Sequence, residues 1–334
     1  MLIQENASLS KLTTMQTGGS ARFILTCKNR DDIREAVNFA HEKNLPWFVF
    51  GGGSNIIAGD NFAGVVILNH IKKIDQIDDA IYKIGAGENW DEIVAKLCEL
   101  NLSGIECMSL IPGVAGAIPV QNVGAYGQEI SQTLVELTAF DTQENSFKIL
   151  SHDDCKFSYR NSIFKKRDNR RYIICDITLK LNRANLQPPF YEVLQKYLDE
   201  NNIKNYSPKS LRDAVIKIRQ SKLPNIAEIP SAGSFFKNPV VDKKTADKLT
   251  QKYPEIPHWK MPNNCVKFSA GWLIDQSGLK SYANHNFQIY PKNALVVTNI
   301  SGGNATDLDK FKNEIIAKVH EKFGIKLEQE PENL

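Results

Sequence analysis

Residues 107–128, "CMSLIPGVAGAIPVQNVGAYGQ", constrain the fold more than any other part of this chain. The stretch has no charge, no helical spacing and no strand alternation. Pro112 and Pro119 interrupt any regular element, and with Gln121 and Asn122 they argue against a membrane span. Its amides and carbonyls still need partners. Either the loop packs on itself, or a large flat ligand with polar edges supplies contact area and hydrogen bonds. A loop this long without structure of its own is usually functional.

Three other stretches carry chemistry. "VFGGGSN" (49–55) is a strand running into glycines, whose amides can face an anion unobstructed. No GK[ST] follows it and it is not GxGxxG, so a tight turn and a phosphate cradle both fit. "FSYRNSIFKKR" (157–167) offers Arg160, either a fork for a carboxylate or phosphate or part of a surface basic cluster. Lys222, Lys237 and Asn238 are open to the same two readings. "SAGSFFKNP" (231–239) sets Ser234 beside Gly233 and before two phenylalanines. A hydroxyl there is either a satisfied strand residue or faces a ligand.

Composition narrows the classes. The 334 residues suggest two or three domains. A net charge of +3 gives no footprint for nucleic acid or a membrane surface, though it permits one basic pocket. The N-terminus lacks the apolar core of a signal peptide. Six cysteines without CxxC pairs and six scattered histidines without HExxH read as reduced thiols in a cytoplasm, with no metal site.

Strand and helix signals alternate over residues 1–70. "RFILTC" is followed by the helix "DDIREAVNFAHEKN", with Asp31 as its cap and Ile33, Val37 and Ala40 on one face. "PWFVF" and "GVVILN" are further strands. Next comes the helix "NWDEIVAKLCEL", with Trp90, Ile93, Val94, Leu97 and Cys98 on one face. "TLVELTAFD", "SFKIL" and "YIICDITLKL" read as strands. "PPFYEVLQKYLDEN" (188–201) and "SPKSLRDAVIKIRQ" (207–220) read as helices, the second capped by Ser207 with Pro208 at its first position. After the Pro-rich break at 221–230 come the "GSFFKNP" strand, the helix "KKTADKLTQKY", "SAGWLIDQSG", the strand "ALVVTN" and a long helix from Asp307 to Phe323. In that helix Phe311, Ile315 and Val319 align, and Gly324 ends it. "IKLEQE" (325–330) reads as a short last strand.

In order along nearly the whole chain, "GGGSN", "IPGVAGAIPVQNVGAYGQE", "YRNSIFK", "KLP", "AGSFFKNP", "KFSAGWLIDQSGLK", "NALVVTN" and "FGIKLEQE" resemble the UDP-N-acetylenolpyruvoylglucosamine reductase family. The "PPFYEVL" segment and "SAGWLIDQ" are similar to its longer type, with a tyrosine loop over the substrate. The resemblance implies an α+β chain: a two-domain FAD-binding α/β unit of the vanillyl-alcohol-oxidase type plus a third α+β substrate-binding domain. The parts would be 1–70, 71–223 completed by 325–334, and 224–324.

The resemblance also implies roles. Gly51, Gly52, Gly53, Ser54 and Asn55 would hold the pyrophosphate of a non-covalent FAD. Gly113, Ala117, Gln121, Asn122, Gly124, Ala125 and Tyr126 would lie along the same cofactor. Arg160 would contact the enolpyruvyl carboxylate, and Tyr191 would sit near the uridyl diphosphate. Lys222, Asn238 and Lys267 would meet substrate phosphates or, in turn, NADPH. Ser234 would be the proton donor and Glu330 the catalytic carboxylate. The implied enzyme is a cytoplasmic monomer of peptidoglycan precursor synthesis, reducing the enolpyruvyl group of UDP-N-acetylglucosamine-enolpyruvate to UDP-N-acetylmuramate. Two other classes stand beside it. One is a related FAD-dependent oxidase of a small alcohol or lactone; the other is a non-flavin nucleotide-sugar binding protein or transferase, and the DxD expected of a metal-dependent transferase is absent from the glycine regions.

Overall fold

Helix boundaries follow side-chain chemistry in the computed structural model, which describes residues 1–165, 171–183 and 186–334. Lys166 and Arg167, the end of the basic stretch noted above, lie outside the described residues. Helix α1 (Arg30–Glu42) buries Ile33, Ala36, Val37 and Ala40 in one stripe, because residues three and four apart share a helix face. Its cap is Asn29, whose side chain accepts the Asp32 N–H at 2.8 Å. This corrects the assignment of Asp31, which lies inside the first turn and meets the positive end of the helix dipole there.

The chain divides into two compact units. The first comprises Met1–Ala7, Ala21–Gly52 and Ala63–Gln220. Its four-stranded sheet runs in the order Leu2–Ser8, Ser20–Cys27, Asn61–Asn69, Trp47–Phe50. The last two strands are parallel, with Trp47 opposite Val65. A second sheet, of five strands, is ordered Ser146–Ser151, Leu134–Asp141, Tyr172–Lys180, Ile81–Gly85, Ile74–Asp78, and every neighbouring pair is antiparallel. Helix α2 (Trp90–Glu99) lays Trp90, Ile93, Val94, Leu97 and Cys98 in a core shared with Ile84, Leu137, Ile177 and Leu179. Each such side chain stabilises the fold by roughly 1.5–3 kcal/mol relative to exposure.

Helices α3 (Glu192–Glu200) and α4 (Pro208–Lys222) bring Leu194 and Leu198 against Leu211, Val215 and Ile218. Ser207 caps α4 by accepting the Ser210 N–H at 3.2 Å. Helix α3 starts at Glu192 rather than at 188: Pro188 precedes Pro189 and so avoids helical backbone angles, and the cap residue Tyr191 has non-helical angles of φ −54° and ψ 134°.

The second unit comprises Ser8–Ser20, Gly53–Phe62 and Ser221–Leu334. One of its sheets has the order Ser231–Ser234, Val296–Asn299, Phe287–Ile289; another has Val240–Asp242, Cys265–Phe268, His258–Met261. Helices α5 (Lys243–Lys252), α6 (Ala270–Ile274) and α7 (Ala305–Phe323) complete it. Phe311, Ile315 and Val319 of α7 are fully buried with Phe235, Phe236, Phe268 and Phe287.

The tail departs from expectation. Residues 325–330 do not form the last strand; Glu332–Asn333 does, parallel to Ile56–Ile57. Pro331 has no N–H to donate, so the pairing that precedes it stops there and a new one begins at Glu332. All six cysteines are free thiols. Among the described residues, no helix is long and apolar enough to cross a membrane.

Candidate active site

In the first unit the uncharged loop is anchored before it reaches any ligand. Trp90 N–H donates to the Gly113 carbonyl at 3.1 Å, Ala115 N–H to Glu88 at 2.8 Å and Gly116 N–H to Ala86 at 2.9 Å. Short 3₁₀ turns at Ala115–Ala117 and Pro119–Gln121 satisfy further amides. Much of the loop's polarity is thus met by protein. Its glycines serve close approach: a Cβ on Gly52 would lie 2.5 Å from the Gly113 Cα. One on Gly51 would lie 2.9 Å from Val114 Cγ2 and 3.0 Å from Ala117 Cβ. The two glycine-rich stretches, distant in sequence, therefore touch backbone to backbone.

The segment carrying Arg160 clamps the same loop. Ser158 and Asn161 exchange backbone bonds of 3.1 Å in a tight turn, with Arg160 at φ 52°. From that turn Arg160 Nη2 donates to the Gly124 carbonyl at 3.1 Å. Ser162 Oγ donates to Val120 O at 2.6 Å, and Lys165 Nζ donates to Gln121 Oε1 at 3.1 Å. Asn122 is 2% exposed. Its amide donates to Glu129 Oε2 at 2.8 Å and to Ser158 O at 3.3 Å, and its carbonyl accepts the Ser131 N–H at 3.2 Å. The Asn122 side chain thus shapes the loop.

Tyr126 meets Tyr191 edge to face, with centroids 6.0 Å apart. Burial pushes both phenols above their ordinary range. Tyr126 also shares a hydrogen bond with Arg219, whose own burial lowers its pKa from the ordinary value. Arg219 escaped the sequence reading, although it stands three residues before the singled-out Lys222.

In the second unit Ser234 lies at a β-bulge. Ser231 pairs with Thr298 but Ser234 pairs with Val296, so one extra residue sits between them. Gly233 takes φ 70°, and a Cβ there would meet nothing within 4 Å. A bulge re-aims the next side chain. Among the described residues, the half-buried Ser234 hydroxyl has no hydrogen-bond partner. Phe235 and Phe236 behind it are sealed in the core.

The tail lies alongside this strand. Lys237 N–H donates to Glu328 O and Glu330 N–H donates to Phe235 O, each at 2.9 Å. Lys237 Nζ is paired with Glu328 at 3.0 Å. Two residues on, Glu332 N–H donates to Asn55 O at 2.9 Å, which brings the end of the glycine loop, with Ser54 and Asn55, to the same tail. Asn238 Oδ1 accepts the Ala270 N–H at 2.9 Å, at the start of α6. Lys267 Nζ stands 5.5 Å from the ring centroid of Trp259, its cross-strand neighbour. Lys222 is the exposed last residue of α4.

The structure therefore gathers Gly51, Gly52, Gly113, Ala117, Gln121, Asn122, Gly124, Ala125, Tyr126, Arg160 and Tyr191 in the first unit. In the second it holds Gly53, Ser54, Asn55, Lys222, Ser234, Asn238, Lys267 and Glu330. A loop of interlocked glycines fits a cofactor whose phosphates must approach backbone, and residues 21–146 match the FAD binding domain family. The fold and this cradle define an FAD-binding protein. Residues 224–334 match the C-terminal domain of UDP-N-acetylenolpyruvoylglucosamine reductase.

Enzymes of that name from Ralstonia nicotianae and Amoebophilus asiaticus are 38% and 39% identical to this chain, over 99% of it and 98% of each relative. The solved UDP-N-acetylenolpyruvylglucosamine reductase of Thermus caldophilus shares the fold, with a TM-score of 0.69, 23% identity and 99% of both chains covered. The chain belongs to the UDP-N-acetylenolpyruvoylglucosamine reductase family.

Proposed function

We propose that this chain reduces the enolpyruvyl group of UDP-N-acetylglucosamine-enolpyruvate to UDP-N-acetylmuramate, a step of peptidoglycan precursor synthesis, as a cytoplasmic monomer using NADPH. FAD, when bound, would supply the redox chemistry that links NADPH to reduction of the enol ether.

The remaining work falls to the chain. Gly51, Gly52, Gly53, Ser54 and Asn55 hold the FAD pyrophosphate through backbone and short polar groups. Gly113, Ala117, Gln121, Gly124, Ala125 and Tyr126 line the cofactor, with Asn122 holding their loop in shape. Arg160 faces the negative charge that builds on the substrate carboxylate as the β-carbon is reduced; a planar fork suits that anion. Its turn and its bond to Gly124 orient the guanidinium beforehand. Tyr191, Lys222, Asn238 and Lys267 bind the uridyl diphosphate end or, in turn, NADPH. Ser234 Oγ–H gives its proton to the α-carbon. Glu330 acts at the enolpyruvyl carboxylate end of the substrate.

The observation that carries this reading is the bulge at Gly233. It turns a serine whose hydroxyl has no hydrogen-bond partner among the described residues out of the strand, ahead of the buried Phe235 and Phe236 and beside the tail that carries Glu330. Stopped-flow absorbance of the flavin tests it. Ser234→Ala should be reduced by NADPH at a near-normal rate. Its reoxidation by the enolpyruvyl substrate should slow by more than the ~10²–10⁴-fold typical of losing a general acid, and Ser234→Cys should recover part of the loss. Reoxidation of the alanine variant at the wild-type rate would remove Ser234 from the role.

A further inference from the structure

The tail changes partners within one residue. Up to Glu330 it pairs with 235–237; from Glu332 it pairs with 55–57. Pro331 stands at the switch and has no N–H, so backbone bonding does not continue across it. The side chain of Gln329 spans the gap. Its Nε2 donates to Pro331 O at 2.6 Å and to Asn333 Oδ1 at 2.8 Å. Its Oε1 accepts from Lys312 Nζ at 3.2 Å. Lys312 is itself fixed: its side chain is 15% exposed on α7 and ion-paired with Asp309.

We propose that Gln329, gripped by Lys312, is the positioning residue for Glu330. This rests on the catalytic reading of Glu330 given above. The amide satisfies the Pro331 carbonyl and the Asn333 side chain at a turn where Pro331 has no N–H to donate. It also ties the turn to the longest helix of the unit, whose Phe311 and Ile315 are fully buried. Glu330 is thereby held from both sides, by its own N–H on Phe235 O and by a turn that cannot swing. Gln329 touches neither substrate nor cofactor in this scheme; it acts through the backbone that Glu330 shares.

A double-mutant cycle on the FAD-loaded enzyme tests this, with flavin reoxidation by the enolpyruvyl substrate as the readout. Gln329→Ala should slow that step by roughly 10–10²-fold, the cost of misplacing a catalytic group by about 1 Å. Reduction by NADPH should be unchanged. Gln329→Glu keeps the acceptor for Lys312 but loses both donors, and should resemble Gln329→Ala. In Glu330→Gln, adding Gln329→Ala should cost less than a further twofold, because both changes disable one group.

A second readout needs no turnover: in Gln329→Ala the amides of Glu330, Glu332 and Leu334 should exchange hydrogen faster while α7 stays protected. Multiplying rate losses in the double variant, or wild-type reoxidation of Gln329→Ala beside a slow Glu330→Gln, would overturn the positioning role. Wild-type reoxidation of Glu330→Gln alone would instead remove the catalytic reading on which that role depends.

Discussion

Gly52→Ala tests the cradle at its tightest point. The added Cβ would lie 2.5 Å from the Gly113 Cα and 3.3 Å from its carbonyl carbon. Carbon atoms settle at about 3.5–4.0 Å, so the two backbones must part by roughly 1 Å or more. The Gly113 side cannot yield easily, because its carbonyl takes the Trp90 N–H and Ala115 N–H is bonded to Glu88. The 51–55 loop must move instead, and with it the amides assigned to the FAD pyrophosphate.

Overpacking of this kind costs about 1–3 kcal/mol of stability, and the apo protein should melt earlier. Losing one hydrogen bond to a charged group costs about 1.5–3 kcal/mol, which is roughly a 10- to 10²-fold rise in Kd for FAD. Quenching of flavin fluorescence during titration into apo protein measures the second effect, and thermal denaturation the first. Gly278→Ala is the control: a Cβ there meets nothing within 4 Å, so only its left-handed backbone is strained and FAD affinity should hold. Gly52→Ala binding FAD within twofold of wild type, with an unchanged melting temperature, would refute the contact and the cradle built on it.

Three further outcomes are expected. Arg160→Lys keeps a charge but cannot present a fork; reoxidation by the enolpyruvyl substrate should fall at least tenfold with NADPH reduction near normal, and equal loss in both half-reactions would assign Arg160 to the flavin or the fold. Glu330→Gln should be folded, yellow and slow in the same half-reaction, whereas Glu328→Gln, which loses only the exposed pair with Lys237, should be near normal; the reverse pattern would move the carboxylate by two residues. Asp141→Asn should cost about 1.5–3 kcal/mol at neutral pH, the worth of hydrogen bonds to a charged group, because the carboxylate is buried while the partners it leaves, Arg171 and Lys148, are each 30% exposed. Hydrogen bonds from Arg171, opposed by burial, hold the Asp141 carboxyl well below its ordinary 3.8. Its stabilisation is therefore complete above that value and is lost as pH falls through the lower folded one, so urea denaturation should show the gap between wild type and Asp141→Asn narrowing only below pH 3.8.

The sequence by itself determined what is local. The apolar stripes of α1, α2 and α7 were legible because side chains three and four apart must share a face. Ser207 before Pro208, and Gly324 with φ 68° after α7, marked their boundaries through capping chemistry that acts within a few residues. Asn29 in place of Asp31 shows the limit of such signals, since two good caps two residues apart differ little. The family was legible in the resemblance, because the order of its motifs survives along the chain, and the candidate site residues were drawn from it.

Tertiary structure alone decided which distant segments meet. Nothing local says that Gly52 should rest on Gly113, that Arg160 should bond Gly124, or that Glu332 should pair with the strand at Ile56. These contacts depend on how buried faces elsewhere bring backbones together. The bulge at Gly233 belongs to the same class: glycine permits it, but only the register against Val296 and Thr298 shows that an extra residue is there. The last strand was misplaced for a related reason. Ile325 and Leu327 are buried like strand residues, yet a ladder needs a partner with free backbone groups, and for the tail that partner lies more than half the chain away.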